Sequence, residues 1–232
     1  MEDNEEKQLS LTGLEIPLIL AIGALFFWNS PFLLPIKLLT VFFHELSHGL
    51  AAILTGGQIV KIELNLNQGG VCYFRGGWLL VTASAGYLGS LLWGSGILLL
   101  SLKKGLSRYI TGAVGLIFII VTALWIRTLG TIGITLLIGG SLLFIAFKLK
   151  EEYCSIFIKF LSLISCFYVV FDIKDDLLDR TVPISDASQI AKCIFPGFMQ
   201  SAGSYLIGLL WFAIAVFVLW KVFNFALNPN RK

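Results

Sequence analysis

Charged residues are scarce. Lys, Arg, Asp and Glu together make up 13% of the 232 residues, about half the share found in soluble domains, so the chain lacks the polar surface that a water-exposed fold requires. This excludes an ordinary soluble enzyme, and the 57% hydrophobic content excludes a disordered chain. The formal net charge is only +3, and no basic stripe interleaved with aromatics stands at either end, which argues against a nucleic-acid partner. Cys72, Cys154, Cys166 and Cys193 lie far apart with no Cys-x-x-Cys pair. They form neither a disulfide framework nor a cysteine metal cluster and read as apolar fillers. Residues 1–12 are polar and acidic and lack the basic start and short apolar core of a secretory signal, so no cleaved leader is expected. Histidine is equally scarce, with only His44 and His48.

What is abundant is long apolar runs. Segments 14–28, 36–54, 78–102, 110–126, 129–148, 155–172 and 203–223 alternate with brief polar interruptions, and most could cross about 30 Å of hydrocarbon at about 1.5 Å per residue. The sequence predicts an all-α polytopic membrane protein of about six or seven transmembrane helices, a single integral-membrane domain over residues 1–232. The 14–28 run is short, and only Arg127 separates the fourth run from the fifth. Arg127 and Lys159 are expected to snorkel towards headgroups. Lys103, Lys104 and Arg108, Lys148 and Lys150, and Arg231 and Lys232 would share one side if all spans cross, and the expected side is the cytoplasm. The expected location is the inner membrane of a bacterium.

Outside the polar tail 1–13, two segments break the pattern. In 59–67, Ile62, Leu64 and Leu66 alternate with Lys61, Glu63, Asn65 and Asn67, the period of a strand with one apolar face. Gln68-Gly69-Gly70 supplies turn residues and 71–74 returns as a β-branched and aromatic run, which predicts a membrane-adjacent β-hairpin over 58–75. The other segment, 173–201, is the longest polar connection and is expected to be an extramembrane or re-entrant loop.

The chemistry lies in the second run, LLTVFFHELSHGLAAILT, where His44, Glu45 and His48 interrupt an otherwise apolar helix. Histidines four apart stand one turn apart on one helix face, so both imidazoles can converge on one ion, while Glu45 lies about 100° round the helix, within reach of an attacking water. This is the His-Glu-x-x-His zinc-protease pattern. Two imidazoles and a carboxylate buried in lipid without a task would cost several kcal/mol.

HELSHGLAAILTGG, followed by GGVCYFRGGW, ASAGYLGS, FDIKDD and SDAS in order along most of the chain, resembles the site-2 protease class of intramembrane zinc metalloproteases, in its compact bacterial, plant and fungal branch. The resemblance implies zinc, hydrolysis of peptide bonds of membrane proteins within or beside the bilayer, and a third metal ligand from an Asp on a later helix. That Asp usually sits in Pro-Asp-Gly or Leu-Asp-Gly, and neither occurs here.

A catalytic zinc needs three protein ligands, and the two histidines leave one to be found. The candidates are Asp172, Asp175, Asp176, Asp179 and Asp186. Asp172 follows an apolar run and is the deepest, so it is the expected third ligand, with Asp175, Asp176 and Asp186 as alternatives. Glu45 is the expected general base. Thr82, Gly86, Ser90 and Gly94 recur every fourth residue in the third run, a small-residue stripe suited to close helix packing. Two other functions compete: a protease-like protein that binds membrane helices without cutting them, and a zinc transporter, which should spread polar ligands along several spans rather than two.

Overall fold

The computed structural model describes residues 13–28, 30–65, 69–178 and 185–228, and the side chains of all of these except 174–178. In chain order the elements are α1 (Glu15–Phe26), α2 (Leu34–Leu54), β1 (Gln58–Leu64), β2 (Gly70–Arg75), α3 (Leu79–Ser101), α4 (Ser107–Trp125), α5 (Leu129–Lys148), α6 (Glu151–Leu178), α7 (Asp186–Ile194) and α8 (Gln200–Ala226). Six of them, α2 to α6 and α8, are long and apolar enough to cross a bilayer, and the molecule is a polytopic helical membrane protein.

The short 14–28 run, which could be a full or a half span, forms a partial one. Helix α1 has 12 residues, about 18 Å at 1.5 Å per residue, too short for about 30 Å of hydrocarbon. Pro31, which lacks an N–H, opens a 3-10 turn capped by the Ser30 hydroxyl, and Pro35 lies in the first turn of α2. The polar stretch 173–201 also differs from a plain loop. Helix α6 continues to Leu178, and Ser185 starts α7 by accepting the Ser188 N–H at 3.2 Å. The side chains of Asp175 and Asp176, and the whole of Asp179, lie outside the described residues.

Helix α2 is the enclosed one. Of its most apolar window 78% is buried, against 28% for the last span. Phe42 stacks on Phe118 of α4 at 3.7 Å, and Phe43 on Trp93 of α3 at 5.1 Å, so consecutive side chains bind two different neighbours. Helix α6 contributes to all three apolar cores, through Ile158 and Leu161, through Val169 and Ile173, and through Leu163 and Ile164. Helices α4 and α5 approach closely where two glycines meet: a Cβ on Gly139 would lie 3.1 Å from the Gly115 carbonyl oxygen.

Strands β1 and β2 pair antiparallel, with an irregularity between Ile59 and Lys61. Ile62 and Leu64 point inward and are buried, as the alternation requires, whereas Val60 is exposed. With six crossings, the α3–α4 and α5–α6 connections share one side, carrying Lys103, Lys104, Arg108, Lys148 and Lys150, and the hairpin, the α4–α5 junction and the end of α6 share the other. Lys159 does not snorkel: it is buried and donates to the Gly13 carbonyl at 3.1 Å. Arg127 folds back on the carbonyls of Ala123, Leu124 and Ile126. Cys72, Cys154 and Cys166 are buried fillers, but Cys193 is exposed.

Gly139→Leu should therefore overpack the α4–α5 contact at a cost of about 1–3 kcal/mol, read as a fall in thermal midpoint of the detergent-solubilised protein. Gly140→Leu, where no atom lies within 4 Å of the built Cβ, should leave the midpoint near that of the parent.

Candidate metal centre and active site

The apolar run around the motif makes α2 a helix, and its one-turn spacing brings the His44 and His48 rings to 4.7 Å between centroids, at 73°. Each ring is oriented from outside. His48 Nδ1–H donates to the Thr82 carbonyl at 2.7 Å, which leaves the Nε2 lone pair directed into the cavity. His44 packs edge-on against Tyr87, 4.9 Å between centroids, and its Nδ1 lies 3.7 Å from Asp172 Oδ2. Both Nε2 atoms face the same carboxylate oxygen, Asp186 Oδ2, at 3.2 Å each.

Asp172 and Asp186 thus occupy different places. Asp172, expected as third ligand from its depth, stands on the Nδ1 side of His44, and the carboxylate opposite both Nε2 atoms belongs to Asp186. The reason lies in the fold of α7. Ala187 and Ile190 bury themselves in the core shared by α3, α6 and α8, and this anchors the first turn of α7, with Asp186 in it, over the histidines. Among the described residues, His44, His48 and Asp186 each offer a ligand atom, and these atoms lie within 4.8 Å of one another. Burial alone would raise the Asp186 carboxyl. The two imidazole rings facing it outweigh burial and hold the group well below the usual carboxylate range.

Three lone-pair donors turned on one another form an arrangement that a cation satisfies. The 3.2 Å spacing from Asp186 Oδ2 to each Nε2 is close to the ~3.3 Å between donors of a tetrahedral site with bonds of about 2.0–2.1 Å. Space for an ion is kept by a missing side chain: a Cβ on Gly86 would fall against Nε2 of both histidines. Cys72 lines the same cavity, where burial and the nearby Glu45 push its thiol up to about 12, and it is not among the three residues whose ligand atoms converge.

Glu45 is buried on the adjoining face of α2, and β2 holds it there. The Cys72 backbone N–H hydrogen-bonds its carboxylate. Gly70 comes so close that a Cβ would sit 2.6 Å from Glu45 Cγ and 2.7 Å from Oε1. The cavity in front of these groups measures about 520 Å³ and is bounded by α2, the hairpin, α3, α6 and α7, with Val71, Phe74, Tyr87, Tyr168 and Gln189 in its wall. From the residues alone, Gly86 read as part of a packing stripe. Gly94 does serve that purpose, its built Cβ meeting Cys166 and Ser162, but Gly86 faces the two imidazoles. Tyr168 and Gln189 carried no signal in the sequence, since neither belongs to a spaced motif.

Gly86→Ala should abolish metal binding at concentrations that saturate the parental protein, measured as metal content after dialysis, with the helical circular dichroism unchanged. Gly96→Ala on the same helix, whose built Cβ meets nothing within 4 Å, should retain the metal.

Comparison with curated proteins gives no match, and neither does comparison with solved structures. A protein-family model does match. Described as Peptidase M50B-like, it covers residues 18–222, which include both histidines, Glu45, the hairpin, Asp172 and Asp186. Six apolar helices of spanning length, with a histidine pair and a carboxylate converging between them, accord with that match. The chain belongs to the Peptidase M50B-like family, the site-2 protease family of membrane peptidases.

Proposed function

We propose that the protein is an intramembrane zinc endopeptidase in which His44, His48 and Asp186 hold the metal and Glu45 is the general base. The observation that carries this is the approach of Asp186 Oδ2 to 3.2 Å from both Nε2 atoms, beneath a glycine whose missing Cβ leaves room for an ion. Two nitrogens and one oxygen suit zinc. Bound there, zinc would act as a Lewis acid that polarises the scissile carbonyl and lowers the pKa of water towards neutrality.

The protein's own groups have separate tasks. Glu45, fixed by the Cys72 N–H, takes a proton from the attacking water and passes it to the leaving amine nitrogen. Thr82 sets the tautomer of His48, and Asp172 steadies His44 from its Nδ1 side. The substrate is a segment of another membrane protein that is unwound into extended form, because a helical peptide bond is shielded by its own hydrogen bonds. The wall of the cavity supports this: Val71, Cys72 and Phe74 of β2 face it, and a strand edge can pair with an extended peptide. A binder that never cuts would have no use for a carboxylate held beside the histidines. A transporter would need further polar stations along the spans, and no second candidate metal group occurs among the described residues.

Glu45→Gln should retain zinc and cleave a model transmembrane peptide at least about a hundredfold more slowly, as expected for loss of a general base. Asp186→Ala should lose both zinc and cleavage. Asp172→Asn should keep cleavage measurable and weaken zinc by about 10- to 100-fold, the usual cost of losing a group that orients a ligand. Parental cleavage rates in Glu45→Gln, or full zinc in Asp186→Ala with none in Asp172→Asn, would contradict these assignments.

A further inference from the structure

We propose that the α4–α5 junction is a positioning element for Glu45, acting through the hairpin, with Thr131 as its principal residue. This rests on the assignment of Glu45 as the base. Two backbone points fix Glu45, the Cys72 N–H and the Cα of Gly70. In the β-ladder Cys72 stands opposite Ile62, and Gly70 opposite Leu64. Both β1 partners are in turn pinned on the far side by the junction. Ile62 forms a parallel bridge with Ile126, and the Leu64 carbonyl accepts the Thr131 hydroxyl at 3.1 Å. Between them Glu63, opposite Val71, accepts the Thr128 hydroxyl at 3.1 Å and the Lys61 ammonium at 2.9 Å.

The order across the membrane edge is therefore junction, β1, β2, Glu45. A two-stranded ribbon alone is marginally stable and free to twist, so the position of β2 against Glu45 is only as well defined as the support behind β1. That support is rigid. Thr122 donates to Thr135 at 2.8 Å, and Thr135 donates to the Thr131 carbonyl at 2.8 Å, a hydroxyl chain that ties α4 to the first turn of α5. The Gly115–Gly139 contact holds the same two helices together further along. Arg127 closes the last carbonyls of α4. Thr131 is buried and touches neither the cavity nor the histidines, so its effect on catalysis passes through β1 and β2.

The test uses the full-length, zinc-loaded protein in proteoliposomes with a model transmembrane peptide, and compares Thr131→Val, which keeps the shape but removes the hydroxyl, with Thr131→Ser, which keeps the hydroxyl. Thr131→Val should lower kcat by about tenfold, or ~1.4 kcal/mol of barrier, with KM and zinc content unchanged, and Thr131→Ser should restore most of the rate. Amide exchange over 58–75 should quicken by about tenfold in the Val variant and not in the Ser variant. An unchanged kcat, or a fall that Ser does not rescue, overturns the proposal. If the parental protein binds zinc but cuts nothing, the protease assignment fails, and exchange alone decides: quickening in Val with rescue in Ser keeps the junction as support for the Glu45 clamp, and unchanged exchange removes it. Should Thr131→Val also lose zinc or stability, Thr128→Ala replaces it, with a smaller fall in kcat expected and no fall overturning the proposal.

Discussion

Two imidazoles, an aspartate and a glutamate share one buried place in a chain whose remaining surface largely faces lipid, and the molecule is organised around making that tolerable. An unpaired polar group in such a setting costs several kcal/mol, so each group faces a counterpart: His48 Nδ1–H donates to the Thr82 carbonyl, both Nε2 atoms face Asp186, and Glu45 accepts from the Cys72 N–H. Helix α2 can carry these groups because it is the most enclosed of the six spans. Phe42 and Phe43 lock it between α4 and α3, and His44, Glu45 and His48 line the cavity.

The same constraint explains the β-hairpin. Hydrolysis needs water and an extended peptide, and neither belongs in hydrocarbon. A ribbon set beside the spans supplies polar backbone next to the reacting groups, while its inward residues, Ile62 and Leu64, keep its other face in the apolar core. The position of β2 decides where Glu45 sits, and the position of β1 decides where β2 sits. Helices α4 and α5, which contribute no side chain to the cavity wall, acquire a role through that sequence of contacts.

Periodicity made much of this legible in advance. The spacing of His44, Glu45 and His48 defines one helix face without any tertiary information, and the alternation through Ile62 and Leu64 defines which side of β1 is buried. Long apolar runs marked the six spans, and the 14–28 run stood apart from them by its shortness, in keeping with the 12-residue α1. Depth along α6 singled out Asp172, whose carboxylate lies 3.7 Å from His44 Nδ1 rather than opposite the two Nε2 atoms. The placement of Asp186 depends on where α7 folds back, anchored by Ala187 and Ile190, and no local pattern encodes a return of that kind. Gly86 was visible only as one member of a packing stripe, since the absence of a side chain acquires meaning when its neighbours in space are known.

His44, His48 and Asp186, whose ligand atoms converge, are proposed to form one metal centre. Zinc K-edge absorption on the purified protein tests it most directly. One zinc per chain is expected, in a shell of nitrogen and oxygen donors at about 2.0–2.1 Å, with two imidazoles in the parental protein and the signal lost in Asp186→Ala. A sulfur donor at about 2.3 Å, which would bring in Cys72, or a shell unchanged by removal of Asp186, would contradict it.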